Sequence, residues 1–521
     1  MRDLVIVRRG AYHDSVALML VSRVAAAEHG VRDASVAMAT PLNLELFAAR
    51  GFDLGDAGEL TVNDLVIAVR AEDDQAGERV MAVVERELSA DGSPAPEADR
   101  HAAPVSLLAA TRLRPELSVA LVSVPGRHVA YEAAAALEAG LHVFCFSNGV
   151  GLDEEAVLKR RAGERGLLFM GPDCGTAILD GVAFGFANAV RRGPVGIVGA
   201  SGTGIQEVCC LLDLGGVGIS HAIGVGGRDL DERIGGAMLR RGLELLAADP
   251  ATEVIVAIAK RPDPGVASAV LEDAAAVGKP VVVAFLGLDG TPAPAAGVTC
   301  AASLEAAAAR AAELAGRTLP APDDGAARPV ARGAIRGLYS GGTLCAEAMT
   351  IVSAVVGRVM SNIPLRAEWR LAGLDDGDSH AFFDFGADEL TVGRPHPMID
   401  PTLRLQRLEL EARDPAVAVI LLDLVLGYGA HPDPAAEFAP AIARACAERE
   451  ELTVIVSLCG TAGDPQGLER QRARLLDAGA VVTRGAARAA RLALPAAAAA
   501  GATAAADAAA EAAAEAPDVR V

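Results

Sequence analysis

The groups best suited to chemistry in this sequence sit in two short Gly-rich turns, Gly199-Ala200-Ser201-Gly202-Thr203-Gly204 and Ser340-Gly341-Gly342-Thr343, each between an apolar strand and a helix start. Glycine there permits close backbone approach and positive φ, while hydroxyls and first-turn N–H groups cluster at the positive end of a helix dipole. Such an arrangement favours phosphate or carboxylate. A lone turn of this kind is as readily a tight connection. Here the turn recurs within a repeat: Pro194–Glu207 (PVGIVGASGTGIQE) and Ala334–Glu347 (AIRGLYSGGTLCAE) share strand, turn and a helix start ending in Glu, and Glu253–Ala259 and Pro280–Phe285 correspond to Val417–Leu422 and Leu452–Leu458. Two related sheets predict a pseudo-twofold pairing, with both helix starts directed at one phosphate-bearing small molecule.

Three cations could act beside them. Lys260 and Arg261 end the strand Val254–Ala259, where open α/β sheets place ligands, and nearly all other basic residues here are arginine. Arg228 follows Gly226 and Gly227 in a loop expected to wrap the same ligand; the plainer alternative is a Gly-rich loop with a surface arginine. These are the candidate catalytic residues, neutralising phosphate or substrate carboxylate. Asn148, at a strand end, and Asp173 and Cys174, in the turn Gly171–Gly175, complete the candidate set. With no histidine near in sequence to activate it, Cys174 reads more readily as a packed thiol than as a nucleophile, and Cys209-Cys210 as helix packing. His221 reads as a core imidazole. His396 lies in Gly393-Arg394-Pro395-His396-Pro397, an anion-binding or a structural turn, and His13 opens a helix with Asp14.

Bulk properties bound the rest. A chain of 521 residues exceeds one core and implies three or four domains. Hydrophobic residues make up 52% and aromatics only 3%, which suits parallel sheets under Ala-rich helices. A formal charge of −21 argues against nucleic acid or an anionic membrane as general partners. Neither a secretion signal nor a membrane span is expected, and eight scattered cysteines fit reduced cytoplasmic thiols with no metal. Strand and helix patterns divide the chain into a small N-terminal α/β unit (1–90), a linker (91–116), three further domains (117–192, 193–318 and 333–495), a connector (319–332) and an Ala-rich tail (496–521).

In order, VPGRHVAYEAAAALEAGLHVFCFSNGV, MGPDCGTAI, GIVGASGTGIQEV and GVGGRDL closely resemble the α subunit of succinyl-CoA synthetase, and AFFDFGADE and LLDLVLGYGAHPDPA resemble the carboxyl-terminal domain of its β subunit. The resemblance spans about Leu117–Leu494. The fused arrangement, with YSGGTLCAEA and FGADELTVGRPHPMIDP, is similar to FdrA-type proteins. It implies a truncated Rossmann-like CoA-binding-type domain over 117–192, followed by two flavodoxin-like ligase domains. Ser201–Gly204 and Ser340–Thr343 would be the paired "power helix" starts.

Departures from the synthetase pattern also bear on function. The strand Lys279–Gly287 is followed by LDGTPAPAAGVTC, without the histidine that the synthetases phosphorylate, and Lys260-Arg261 replace an acidic loop. The first CoA-binding strand and an ATP-grasp domain are not recognisable. Resemblance to FdrA-type proteins implies a subunit of oxamate carbamoyltransferase, converting oxalurate and phosphate to oxamate and carbamoyl phosphate in purine or allantoin catabolism. One alternative is a component of a nucleoside-diphosphate-forming acyl-CoA synthetase, another a non-catalytic scaffold or metabolite-sensing subunit. Companion subunits are expected, a homodimer is an open alternative, and no cofactor is required, coenzyme A being the one to test.

Overall fold

The computed structural model describes residues 1–54, 60–90, 104, 106–288, 297–321, 330–373 and 380–497. Much of the expected 91–116 linker and 319–332 connector, and nearly all of the 496–521 tail, lie outside them. The chain forms two compact units, Met1–Pro104 with Gly386–Asp400, and Val105–Phe385 with Pro401–Val521.

In the first unit, β1 (Arg2–Arg8), α1 (Ser15–Ala26), β2 (Val31–Met38), α2 (Pro41–Ala49), β3 (Leu65–Ala71) and α3 (Asp74–Ala90) follow one another. The strand–helix alternation expected from the sequence is present, and the sheet is ordered β1-β3-β2, with both outer strands antiparallel to β3. As the central strand, β3 is covered on both faces, so every residue of it except Arg70 is buried. Leu65, Ile67 and Val69 pack with Leu18, Val21, Val80 and Val84, while Val66 and Ala68 pack with Phe47 and Phe52 on the other face. The Asp14 carboxylate caps α1 by accepting from the N–H groups of Val16 and Ala17 at 2.9 and 3.2 Å, so the helix begins at Ser15 and His13 precedes the cap.

The segment Gly386–Asp400, with the short α12 (Asp388–Thr391), belongs to this unit, a placement its sequence does not announce. Asn43 Nδ2 donates to the carbonyls of Met38 and Gly393. Gly393 has φ +69°, and a Cβ there would stand 2.4 Å from Thr40 Cγ2, so glycine is required. His396 Nδ1 accepts from the Met398 N–H at 3.2 Å, a bond internal to the turn.

The second unit opens with α4 (Leu107–Leu113) and a parallel three-stranded sheet, β4 (Val119–Val122), β5 (His142–Cys145) and β6 (Phe169–Met170), connected by α5 (Gly126–Glu138) and α6 (Leu152–Glu164). The hairpin β7 (Thr176–Leu179) and β8 (Val182–Gly185) precedes residue 193, yet β7 pairs with a strand of the next sheet.

That sheet contains β9 (Arg192–Gly199), β10 (Ile219–Gly224), β11 (Val254–Lys260), β12 (Val281–Leu286) and β13 (Val298–Cys300), with helices α7 (Gly202–Leu214), α8 (Ala237–Ala248), α9 (Pro264–Ala276) and α10 (Leu304–Leu314). Its order is β13-β12-β11-β9-β10-β7-β8. The third sheet contains β14 (Ala334–Tyr339), β15 (Met360–Ser361), β16 (Ala381–Asp384), β17 (Val417–Val425), β18 (Thr453–Cys459) and β19 (Val481–Thr483), with α11 (Gly342–Val356), α13 (Thr402–Arg413), α14 (Pro434–Glu448), α15 (Leu468–Asp477) and a final helix over 486–497.

Its all-parallel order is β15-β16-β14-β17-β18-β19. Read from their outer strands, β13-β12-β11-β9-β10 and β19-β18-β17-β14-β16 are equivalent, as the internal repeat requires. Strands such as VIVAIAK and VAVILLDLV are apolar runs buried on both faces, the pattern of a covered parallel sheet.

Candidate functional site

The two helix starts meet. β9 delivers the chain in an extended conformation to Ser201, whose Oγ caps α7 by accepting from the Gly204 N–H at 2.9 Å. The same hydroxyl donates to Thr343 Oγ1, in the first turn of α11, at 2.7 Å. The repeat aligns Ser201 with Gly341, and on that reciprocal side a Cβ on Gly341 would stand 2.7 Å from Thr203 Oγ1. One serine and one missing side chain therefore let the two helix ends abut. Ser201, Gly204, Ser340, Gly341 and Thr343 are buried, leaving Gly202, Thr203 and Gly342 half-buried.

The two starts are not equivalent as anion sites. Asp423, wholly buried in β17, turns its carboxylate into the second turn, accepting from the N–H groups of Ser340 and Gly341 at 2.7 and 2.8 Å and from Ser340 Oγ at 3.0 Å. Arg404 Nη2 neutralises it at 2.8 Å, and burial holds the Arg404 guanidinium below its usual range. Ser340 and Gly341 thus serve an internal carboxylate instead of a ligand, correcting the expectation for them. A Cβ on Gly342 would stand 2.5 Å from Asp384 Oδ2 and 2.8 Å from Lys260 Nζ. Lys260 therefore reaches from the first half-sheet to the helix start of the second.

Arg261 also faces this edge; it has φ +43°, and its Nη1 donates to the carbonyl of Pro364.

Other sequence candidates lie apart. Arg228 Nη2 bonds the Val150 carbonyl and Glu155 Oε2, both at 2.8 Å, and Glu155 continues through fully buried Lys159 to Asp229. This network ties the loop after β10 to α6, so Arg228 is structural where a catalytic role was expected. Cys174 is buried, and burial pushes its thiol up to about 12, so it is a packed thiol. Gly226 has φ +84°, and a Cβ there would stand 2.6 Å from the Pro172 carbonyl oxygen, whereas Gly227 faces open space. The Asn148 carbonyl lies against Gly126, and the Asp173 N–H donates to the Ser147 carbonyl at 2.9 Å. These four residues shape the loops beyond β5, β6 and β10. His221 Nδ1 accepts from the Asp180 N–H at 3.1 Å and its Nε2 lies 3.5 Å from Asp249.

Sequence reasoning missed Asp384 and Asp423, as well as the buried pair Glu207 and Glu347. The glutamates occupy equivalent positions in the repeat, and each caps a helix of the opposite half: Glu207 Oε1 and Oε2 accept from the Ala486 N–H at 3.1 and 3.2 Å, and Glu347 Oε1 from Leu304 N–H at 2.6 Å. The shared Glu in the repeat was the available signal. Burial, and next the charge of Glu347, hold Glu207 well above the usual carboxylate range, while burial raises Glu347 to about 7.

A three-stranded parallel domain followed by two matched parallel sheets whose helix ends abut defines a protein of the succinyl-CoA synthetase type. Family models agree: one described as CoA-ligase matches residues 338–495, one described as CoA binding domain matches 190–287, and one described as AllF, heavy metal-associated domain, matches 1–104. The protein YahF of Escherichia coli (strain K12) is 42% identical over 493 residues, 92% of this chain and 95% of YahF. The ADP-forming sulfoacetate-CoA ligase subunit SauD of Bilophila wadsworthia is 31% identical over 147 residues (27% of this chain, 49% of SauD), and the succinate–CoA ligase [ADP-forming] subunit alpha of Aquifex aeolicus 31% over 144 residues (26% and 46%). The chain spans about half the length of these two ligase subunits.

Among solved structures, the apo dinucleotide-forming acetyl-coenzyme A synthetase 1 of Ca. Korarchaeum cryptofilum is similar at 18% identity, covering 73% of this chain and 82% of its own, with a TM-score of 0.31. The chain belongs to the FdrA-type family of succinyl-CoA synthetase-like proteins, and so to the acyl-CoA synthetase-like, nucleoside-diphosphate-forming CoA-ligase superfamily. The activities named for the two ligase subunits are CoA-dependent; carbamoyl transfer and allantoin catabolism have no counterpart in them.

The name of the N-terminal model raises the question of a heavy metal. No cysteine precedes Cys145, so this unit has no thiolate pair for a soft ion, and among the described residues no group of three metal-ligating side chains forms. Its residues do not fit such a metal. No helix among the described residues is long and apolar enough to cross a membrane.

Proposed function

We propose that this chain handles an acyl-type phosphate where α7 and α11 meet, as one subunit of a larger cytoplasmic enzyme, and that the reaction is oxamate carbamoyl transfer. The observation that carries the reading is Lys260 Nζ beside Gly342, where Asp384 Oδ2 also stands, with Thr203 of the opposing helix against the neighbouring Gly341. Helix N–H groups and one lysine suit a phosphate dianion, and in a partly dry site they stabilise charge as it develops. In this reaction a phosphate oxygen attacks the ureide carbonyl of oxalurate, the carbon–nitrogen bond breaks, and the phosphate proton passes to the departing nitrogen. Carbamoyl phosphate and oxamate result. Positioning and charge neutralisation suffice, which accords with a sequence that has no histidine between Lys279 and Leu314 to act as a phosphate relay.

A second reading, an acid–CoA ligase subunit, is favoured by the CoA-ligase and CoA-binding family matches and by the named activities of the relatives. The CoA-binding match itself covers β9–β12, so coenzyme A would lie there or at the C-terminal ends of the adjoining β4–β6. Exposed Arg127 and His128 in the first turn of α5 offer phosphate donors there. Oxalurate phosphorolysis, assayed with the protein purified together with its companion subunits, should fall by about 100-fold or more in Lys260→Ala. Unchanged turnover in that variant would remove Lys260 from the site. Tight calorimetric binding of coenzyme A with no response to carbamoyl phosphate would instead favour the ligase.

A further inference from the structure

At the edge holding Lys260, a second cationic group is built from parts distant in sequence. Arg370, which nothing in the motif pattern marks, donates through Nη1 to the Asn362 carbonyl at 2.8 Å, and Arg261 donates to the Pro364 carbonyl two residues on. One loop thus fixes both guanidinium groups. The loop is itself tied to the site strand, because Asn362 Nδ2 donates to the Asp384 carbonyl and Asn362 Oδ1 accepts from the Asp384 N–H, both at 2.9 Å. The Leu371 N–H donates to the Ser361 carbonyl at 3.0 Å, closing the segment behind Arg370.

Electrostatically this is an unusual place in a chain of net charge −21. Arg261 is held below its usual range by burial and then by the charge of Arg370, and no carboxylate among the described residues acts on it. Arg370 is exposed, and Arg261 is partly covered at its guanidinium while the residue still reaches solvent. Two adjacent guanidinium groups pinned by carbonyls, and lacking a described acidic partner, leave their outward N–H donors for an anion. Arg261 adopts the left-handed backbone region that only glycine enters freely, and an outlier of that kind persists where the surrounding structure needs the side chain directed one way. A planar guanidinium fork matches a carboxylate or a phosphate in two-point fashion; with Lys260 and the helix N–H groups already placed for the phosphate, the arginine pair is left for the carboxylate.

We propose that Arg261 and Arg370 form a carboxylate clamp beside the phosphate-binding Lys260, so that the acceptor is a short acid with its carboxylate next to the reacting group. This rests on the acyl-phosphate reading above and adds to it the residues that hold the acid. Lys260 holds the phosphate; the arginine pair selects and orients the acid.

Calorimetric titration of the full chain with oxamate and, separately, with inorganic phosphate tests the division. In Arg370→Ala, oxamate affinity should drop at least 10-fold while phosphate affinity stays within about twofold. Arg370→Lys, which keeps a donor toward Asn362, should fold like the parent and still lose oxamate, since an ammonium cannot reproduce the fork. Lys260→Ala should show the reverse pattern. Wild-type oxamate affinity in both Arg370 variants would overturn the clamp and leave the phosphate site standing. No phosphate binding to the parent, with oxamate still sensitive to Arg370, would refute the acyl-phosphate reading and keep the clamp. Failure of both ligands to bind the parent would sink both.

Discussion

Replacing Glu347 by Gln should abolish one component of the pH dependence of stability. Glu347 ordinarily titrates near 4.5 and is raised to about 7 by burial, opposed first by the Leu304 N–H that it accepts and then by Arg491. Glu207, across the interface, is likewise held well above the usual carboxylate range, by burial and then by the charge of Glu347. A carboxyl whose folded pKa is raised contributes its full stability below pH 4.5, and that contribution is lost as pH climbs through 7. At ~1.4 kcal/mol per pH unit, the loss between those limits is on the order of 3 kcal/mol. The substituted glutamine would retain an acceptor for the Leu304 N–H and cannot ionise, so E347Q imitates the protonated form.

Urea unfolding followed by circular dichroism at pH 4, 6.5 and 8 should therefore give nearly equal midpoints for parent and variant at pH 4. By pH 8 the variant should lead by up to ~3 kcal/mol. Other titrating groups cancel in the comparison. A variant less stable than the parent at pH 8, or one with the same pH slope, would show that Glu347 is already ionised or that its charge is compensated.

Two further substitutions separate structural from ligand-binding groups. Asp423→Asn should cost about 3–5 kcal/mol in denaturant unfolding, because it leaves buried Arg404 without its counter-charge; a loss under 1 kcal/mol would mean that solvent reaches the pair. Arg228→Ala should leave phosphate affinity within twofold while lowering stability by about 1 kcal/mol through its exposed end of the Glu155 network. A large fall in phosphate affinity would return Arg228 to the site.

The parts of this architecture that depend on local pattern were legible in the sequence. Continuous β-branched runs mark the buried parallel strands, and the repeated Gly-rich turn announces two helix starts related by pseudo-symmetry, which do meet at Ser201 and Thr343. What local pattern does not encode is which long-range partner takes a donor. Asp423 lies 82 residues from Gly341 in sequence, yet its carboxylate occupies the N–H groups that looked open to a ligand.

Arg228 and Lys260 follow strands in similar fashion, and only packing against α6 commits the former to Glu155. Nor could the position of Gly386–Asp400 be inferred, because its docking depends on one glycine fitting against Thr40 and one asparagine amide. Arg370 escaped notice because no motif contains it; its interest comes from the Arg261 charge that the fold brings beside it.

An anion bound where α7 and α11 converge would be visible in a crystal structure of the full chain grown with phosphate. Tetrahedral density is expected within hydrogen-bond reach of Lys260 Nζ and the first-turn N–H groups of Thr203 and Gly342. Phosphate bound only beyond β4–β6, with the helix ends closed against each other, would contradict that placement.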